Sequence, residues 1–142
     1  MPNKNQAPPS NKIIPKNLEV IDHGGYFEIL NKIKSVNILT KKFSFGINVF
    51  IGDRVKICNQ DGSPMEELEI GDNVSIFNDS TIMVPKFKVL DYTKINNHFY
   101  THGDKPLHIG YNCWIGSGAV LDTLGGLELG NNVAIGSQVQ VY

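Results

Sequence analysis

The sequence predicts an all-β fold, a solenoid in which short strands and turns make the sides of stacked coils. Three observations carry this expectation. Ile109, Ile115 and Leu121 recur six residues apart, and Leu129, Ile135 and Val141 repeat the beat. A helix needs a period of about 3.6 and a half-buried strand a period of about 2, whereas a six-residue beat suits a short strand plus a turn on each side of a coil. Second, Ile70-Gly-Asp-Asn-Val, Ile109-Gly-Tyr-Asn-Cys and Leu129-Gly-Asn-Asn-Val open alike, and their Gly and Asn put permissive residues where a corner turns. Third, a small residue follows the aliphatic one four positions later, at Val55, Val74, Ser80, Cys113, Ala119, Val133 and Val139. Such residues fit beside an aliphatic stack inside a narrow coil, which gives Cys113 a packing role.

Taken in order, residues 1–17 combine Pro, Asn and Lys and read as a poorly ordered lead-in to a single domain over 18–142. The beat can be followed through Ile21, Phe27, Ile33, Leu39, Phe45, Ile51 and Ile57, which starts the coil well before the clearest repeats. Phe43, Phe45, Ile47, Val49 and Ile51 also alternate with period two, so an ordinary strand competes there. Residues 58–69 break the beat over Asp-Gly-Ser-Pro and read as a loop pushed out of one corner. The beat resumes at Ile70, Ile76 and Ile82. From Ile82 to Ile109 the separation is not a multiple of six, so residues 83–108 read as an inserted loop, which holds His98, His102 and His108. Irregular segments on a rigid repeat scaffold commonly carry function.

The 142 residues suffice for one domain with a core, and 41% hydrophobic with 19% charged residues is a globular balance. A net charge of -1 gives no reason to expect a nucleic-acid or anionic-membrane partner. Cys58 and Cys113 have neither CxxC spacing nor the density of a disulfide scaffold, which points to a reducing, cytoplasmic setting. The N-terminus lacks the apolar core of a signal peptide, and no apolar run is long enough for a transmembrane helix.

The run Ile109-Gly-Tyr-Asn-Cys-Trp-Ile-Gly-Ser-Gly-Ala-Val resembles the signature of the hexapeptide-repeat acyltransferases, in the branch of the sugar, maltose, galactoside and xenobiotic acetyltransferases. The clear resemblance covers Ile70 to Val141. It implies a left-handed parallel β-helix of triangular section with three hexapeptides per coil, although parallel crossovers are otherwise right-handed almost without exception. It also implies a homotrimer with sites between subunits, and acetyl-coenzyme A as donor to a sugar or nucleotide-sugar acceptor, with no metal. Relatives of this kind continue for further coils and end in a cap, whereas this sequence stops at Val141-Tyr142 as a coil closes. An uncapped end exposes strand edges, so a truncated chain or cover by another subunit is expected.

Acyl transfer from a thioester needs a base for the acceptor's proton and donors for the oxyanion. The segment Thr101-His-Gly-Asp-Lys-Pro-Leu-His-Ile-Gly110 resembles the one that carries the base in these enzymes, with His102 in that role and His98 as the alternative. Asp104 is a candidate to orient the His102 imidazole. His108, just before an inward Ile, is expected on the surface, and His23 beside Gly24-Gly25 in a turn. Trp114 should project from the coil toward a neighbouring subunit or the pantetheine arm of coenzyme A. Gly116, Ser117, Gly118, Gly136 and Ser137 present backbone amides without bulk and are the expected cofactor groove. Asn78 and Asp79, at an earlier corner, are candidates for acceptor contact. Two other readings compete: a non-catalytic assembly domain, and a zinc enzyme of the γ-class carbonic anhydrase type, for which three good ligands would be needed.

Overall fold

In the computed structural model, which describes residues 13–142, the chain is all-β, and its strands are stacked in parallel into a solenoid of about five turns. Numbered along the chain, β1 (Glu19–Asp22), β2 (Phe27–Asn31) and β3 (Val36–Thr40) form an antiparallel meander, and β3 then pairs in parallel with the first coil. Side A continues through β6 (Lys56–Cys58), β9 (Thr81–Met83), β12 (Tyr100–His102), β15 (Val120–Asp122) and β18 (Gln140–Val141). Side B stacks β4 (Phe43–Phe45), β7 (Glu67–Ile70), β10 (Lys86–Val89), β13 (Leu107–Ile109) and β16 (Leu127–Leu129). Side C stacks β5 (Phe50–Ile51), β8 (Ser75–Ile76), β11 (Lys94–Ile95), β14 (Trp114–Ile115) and β17 (Ala134–Ile135). The coils wind left-handed. Among the described residues, no helix is long and apolar enough to cross a membrane.

The coil is longer than three hexapeptides. Equivalent residues of successive coils lie 25, 19 and 20 residues apart. Six-residue steps hold along sides B to C and C to A, as from Ile70 to Ile76 to Ile82, and stretch by one or two residues on the return to side B, where Val89 and Ile109 follow. This corrects the inserted loop expected over 83–108. That segment contains β10, β11 and β12, and is a complete coil whose surplus residues are absorbed at the A-to-B corners. The loop expected at 58–69 is real but shorter, since β6 ends at Cys58 and β7 begins at Glu67. Its turn is closed by Asn59 N–H to Ser63 O at 2.7 Å, with Met65 buried beneath it. The Asp61 carboxyl is held below its usual range because the Ser63 hydroxyl and amide donate to it.

The meander is a second correction. Ile21, Phe27, Ile33 and Leu39 sit on antiparallel strands and their turns, and Ile33, in the turn after β2, is 97% exposed. Four evenly spaced apolar residues there coincided with the beat without forming a coil. Farther on, the competing strand over 43–51 is broken by a turn at Gly46–Val49 that leaves Ile47 exposed. The expected lead-in lies partly outside the described residues; from Ile13 onward it is placed, with Ile14, and Leu18 just after it, packed against the core.

Inward columns make that core. Ile51, Ile76, Ile95, Ile115 and Ile135 stack on side C, and Phe43, Leu68, Phe87 and Leu107 on side B. Each fully buried aliphatic or aromatic side chain is worth about 1.5–3 kcal/mol of transfer free energy. Two inward threonines bond to the next coil: Thr93 Oγ1 donates to Gly110 O and Thr101 Oγ1 to Leu121 O, both at 2.8 Å. Cys113 is buried with its Sγ 3.1 Å from Gly130 O, as its packing role predicts. Burial pushes the Cys58 thiol up from its ordinary value.

Each B-to-C and C-to-A corner passes through one left-handed residue. These are Asn48, Asn73, Tyr92, Asn112 and Asn132 at the first corner, and Arg54, Asp79, His98, Gly118 and Gln138 at the second. Asn is therefore the conformational device in the Gly-x-Asn openings. The glycine serves close approach instead: a Cβ on Gly110 would lie 2.3 Å from Asn131 Oδ1 and 2.6 Å from Gly130 O in the next coil.

Candidate functional site

Because Thr101 points inward, its neighbours Tyr100 and His102 point out from side A. His102 is half-buried, and its ring stacks on Tyr100 with centroids 6.2 Å apart and planes at 14°. Its partners across the ladder are Met83 in the coil before and Asp122 in the coil after. The backbone is tied to both coils, with His102 O accepting Thr123 N–H at 3.1 Å and Gly103 N–H donating to Met83 O at 3.2 Å. Asp122 is itself fixed, its Oδ1 accepting Leu124 N–H at 2.8 Å. Asp104 is exposed beyond the strand, and neither a hydrogen bond nor an ion pair joins it to His102 among the described residues.

His98 occupies a different place. It is exposed at the C-to-A corner with φ 62°, in a column that runs Arg54, Asp79, His98, Gly118 and Gln138. Backbone bonds link the rungs: His98 N–H to Asn78 O at 2.9 Å, Gly118 N–H to Asn97 O at 2.9 Å and Gln138 N–H to Ser117 O at 2.8 Å. The column thus gathers Asn78, Asp79, His98, Ser117, Gly118 and Ser137 along one edge. Asp79 is engaged there by Arg54, whose Nε and Nη2 donate to its two oxygens at 2.6 and 3.0 Å. That hydrogen bonding, reinforced by charge, holds the Asp79 carboxyl below its usual range and raises the Arg54 guanidinium. Asn78 Oδ1 accepts Asp53 N–H at 2.9 Å, and the Asn78 backbone N–H donates to Asn97 Oδ1 at 3.0 Å.

Two of the expected groove residues have evident structural duties. A Cβ on Gly116 would lie 2.4 Å from Ser137 N, so glycine is required for the next coil to seat. Gly118 takes the left-handed corner position, at φ 74°. Trp114 stands on side C between Lys94 and Ala134, 45% exposed, so it projects as its position in the repeat implies. His108 is exposed on side B, between Lys88 and Glu128. His23 lies in the β1–β2 turn, its Nε2 3.0 Å from Glu28 Oε1 and its ring stacked on Tyr26.

The structure therefore brings the acceptor and groove candidates together around His98, and places His102 one short strand away on side A, with Trp114 on the opposite flank of the corner. Sequence reasoning missed Tyr100, which stacks on His102 along its own strand, and Asp122 and Arg54, which meet their partners across coils. It also missed a notch of about 260 Å³ at the B-to-C corner, lined by Leu90, Asp91, Tyr92 and Tyr111. Among the described residues, no group of three or more His, Cys, Asp or Glu is placed to hold a metal ion. No protein family, no curated protein and no solved structure matches the chain.

Proposed function

We propose that this β-solenoid is an acyltransferase that moves an acetyl group from coenzyme A to a hydroxyl or amine of a sugar or nucleotide sugar, with His102 as general base. The observation that carries the choice of base is the fixed imidazole of His102: outward, half-buried and stacked on Tyr100 on a strand hydrogen-bonded on both sides. A base must hold its geometry, and His98, exposed on a left-handed corner, is less constrained.

In the proposed step, the acceptor's oxygen or nitrogen attacks the thioester carbonyl while His102 takes its proton. The tetrahedral intermediate then expels the coenzyme A thiolate, which receives that proton as the C–S bond breaks. Trp114 and the Ser117–Gly118 edge would hold the pantetheine arm, and Asn78 the acceptor. Since Trp114 and His102 lie on different sides of one chain, a site shared between subunits of a homotrimer brings them together.

The experiment is acetyl transfer from acetyl-coenzyme A to a panel of sugars and nucleotide sugars. His102→Ala is expected to lower turnover by about a hundredfold or more, and His98→Ala by less than about tenfold. Unchanged turnover in His102→Ala would overturn the assignment of the base.

A further inference from the structure

We infer that Asp122 is the positioning residue for the His102 imidazole, an inference that rests on the reading of His102 as base. The two residues are direct partners in the β12–β15 register, so their Cα atoms belong to adjacent parallel strands about 4.8 Å apart. Thr101 and Leu121, the residues before them, are both fully buried, so His102 and Asp122 project from the same outer face. Of the two strands packed against β12, β9 presents Met83 and β15 presents Asp122. The carboxylate is the charged group opposite the ring.

Asp122 is suited to hold an orientation. Its Oδ1 is committed to Leu124 N–H at 2.8 Å, which restrains the carboxylate, and no hydrogen bond engages Oδ2 among the described residues. The bond from Thr123 N–H to His102 O locks the two strands in register immediately beside the pair. Tyr100 limits rotation of the ring from the other direction. The register sets the two residues side by side on adjacent strands without a direct hydrogen bond between them, the looseness common for a base and its orienting group before substrate closes over them. When the ring nitrogen nearer Asp122 donates its N–H to Oδ2, the other nitrogen keeps its lone pair for the acceptor's proton. The imidazolium formed in the step is then stabilised by the adjacent carboxylate.

The test compares the wild type with Asp122→Asn and Asp122→Glu. Asn keeps an oxygen acceptor for Leu124 N–H, so the turn survives while the charge is lost; Glu restores the charge. The first readout needs no turnover: two-bond proton–nitrogen NMR of the neutral His102 ring. In the wild type, one tautomer should dominate, with the proton on the nitrogen nearer Asp122. Asp122→Asn should shift the population toward the other tautomer, and Asp122→Glu should restore it. An identical tautomer ratio in wild type and Asp122→Asn would overturn the inference, whatever the enzyme's activity.

The second readout is kinetic. Asp122→Asn should lower kcat by about tenfold or more with the acceptor's KM unchanged. A tautomer shift without acyl transfer in the wild type would sustain the pairing and sink the acyltransferase reading. Acyl transfer with kcat unchanged in Asp122→Asn would sink the positioning role alone.

Discussion

Gly116→Ala separates the architecture of the corner from any role in holding a cofactor. The added Cβ would lie 2.4 Å from Ser137 N, 2.6 Å from Gly136 C and 2.7 Å from Ser137 Cα. All three are backbone atoms, so no flexible side chain can move aside. Both coils are tied at this point, with Gly116 N–H donating to Ile135 O at 2.7 Å and Gln138 N–H to Ser117 O at 2.8 Å. Separating them to ordinary contact requires about 1 Å of displacement, which stretches or breaks those bonds. Overpacking costs of this kind run about 1–3 kcal/mol, and one lost backbone bond adds about 1 kcal/mol. A total of about 2–4 kcal/mol is therefore expected, concentrated in the coil from Leu127 to Val141, because solenoid coils depend on their neighbours. The matched control is Gly136→Ala, whose Cβ would meet only Val139 Cγ2 at 3.6 Å, and which should stay within about 0.5 kcal/mol of the wild type. Urea unfolding measures the difference, and amide exchange of Ile135 and Val141 locates it. If Gly116→Ala is as stable and as well protected as Gly136→Ala, the close approach of the two coils is not as described.

Four further outcomes are expected. The transfer assay should rank His102→Ala far below His98→Ala, and the tautomer and kcat effects of Asp122→Asn should be reversed by Glu, as set out above. Among the described residues, the buried Thr123 Oγ1 has no hydrogen-bond partner, so Thr123→Val should raise stability by about 1 kcal/mol in thermal unfolding; a loss of stability would show that the hydroxyl is satisfied. Arg54→Met should change the acid limb of stability. With the folded Asp79 value depressed by Arg54, the pair's contribution is present above the unfolded carboxylate range and lost as pH falls through the folded value. The variant should show a shallower decline of the urea midpoint between about pH 4 and pH 2, and an unchanged slope would remove Asp79 from the acid response.

The residues that announced the coil are those whose neighbours in sequence are also their partners in structure. Ile109, Ile115 and Leu121 face inward because each strand and its turn are local events of six residues, and the Asn of each Gly-x-Asn opening turns the corner by its own backbone preference. The same local logic misled where a different local structure shared the spacing. Ile21, Phe27 and Leu39 keep the beat on an antiparallel meander, because apolar spacing alone carries no information about strand direction. It misled again over 83–108, where one or two extra residues at the A-to-B corners displaced the count without breaking the coil. A corner on the surface of a solenoid accommodates extra residues at little cost, since it lies outside the inward columns.

The candidate site follows the opposite rule. His102 was legible as a chemical type in a suggestive segment, and Tyr100 stacks on its ring from two residues before it, but its cross-strand neighbours are reached through the coil step. Asp122 is 20 positions later and Met83 is 19 earlier, and those offsets follow from the lengths of the A-to-B corners. Asp104, two residues away, was a candidate on sequence grounds, yet it lies exposed beyond the end of β12, whereas Asp122 stands beside His102 on the next strand. Arg54 reaches Asp79 by the same device, over 25 residues because the 59–66 excursion lengthens that coil. Once the coil length at a given corner is known, the partners of any outward residue in a parallel solenoid can be read from the sequence by counting. For this chain that count selects Asp122 over Asp104, and so turns a choice between two aspartates into a measurable difference between two single substitutions.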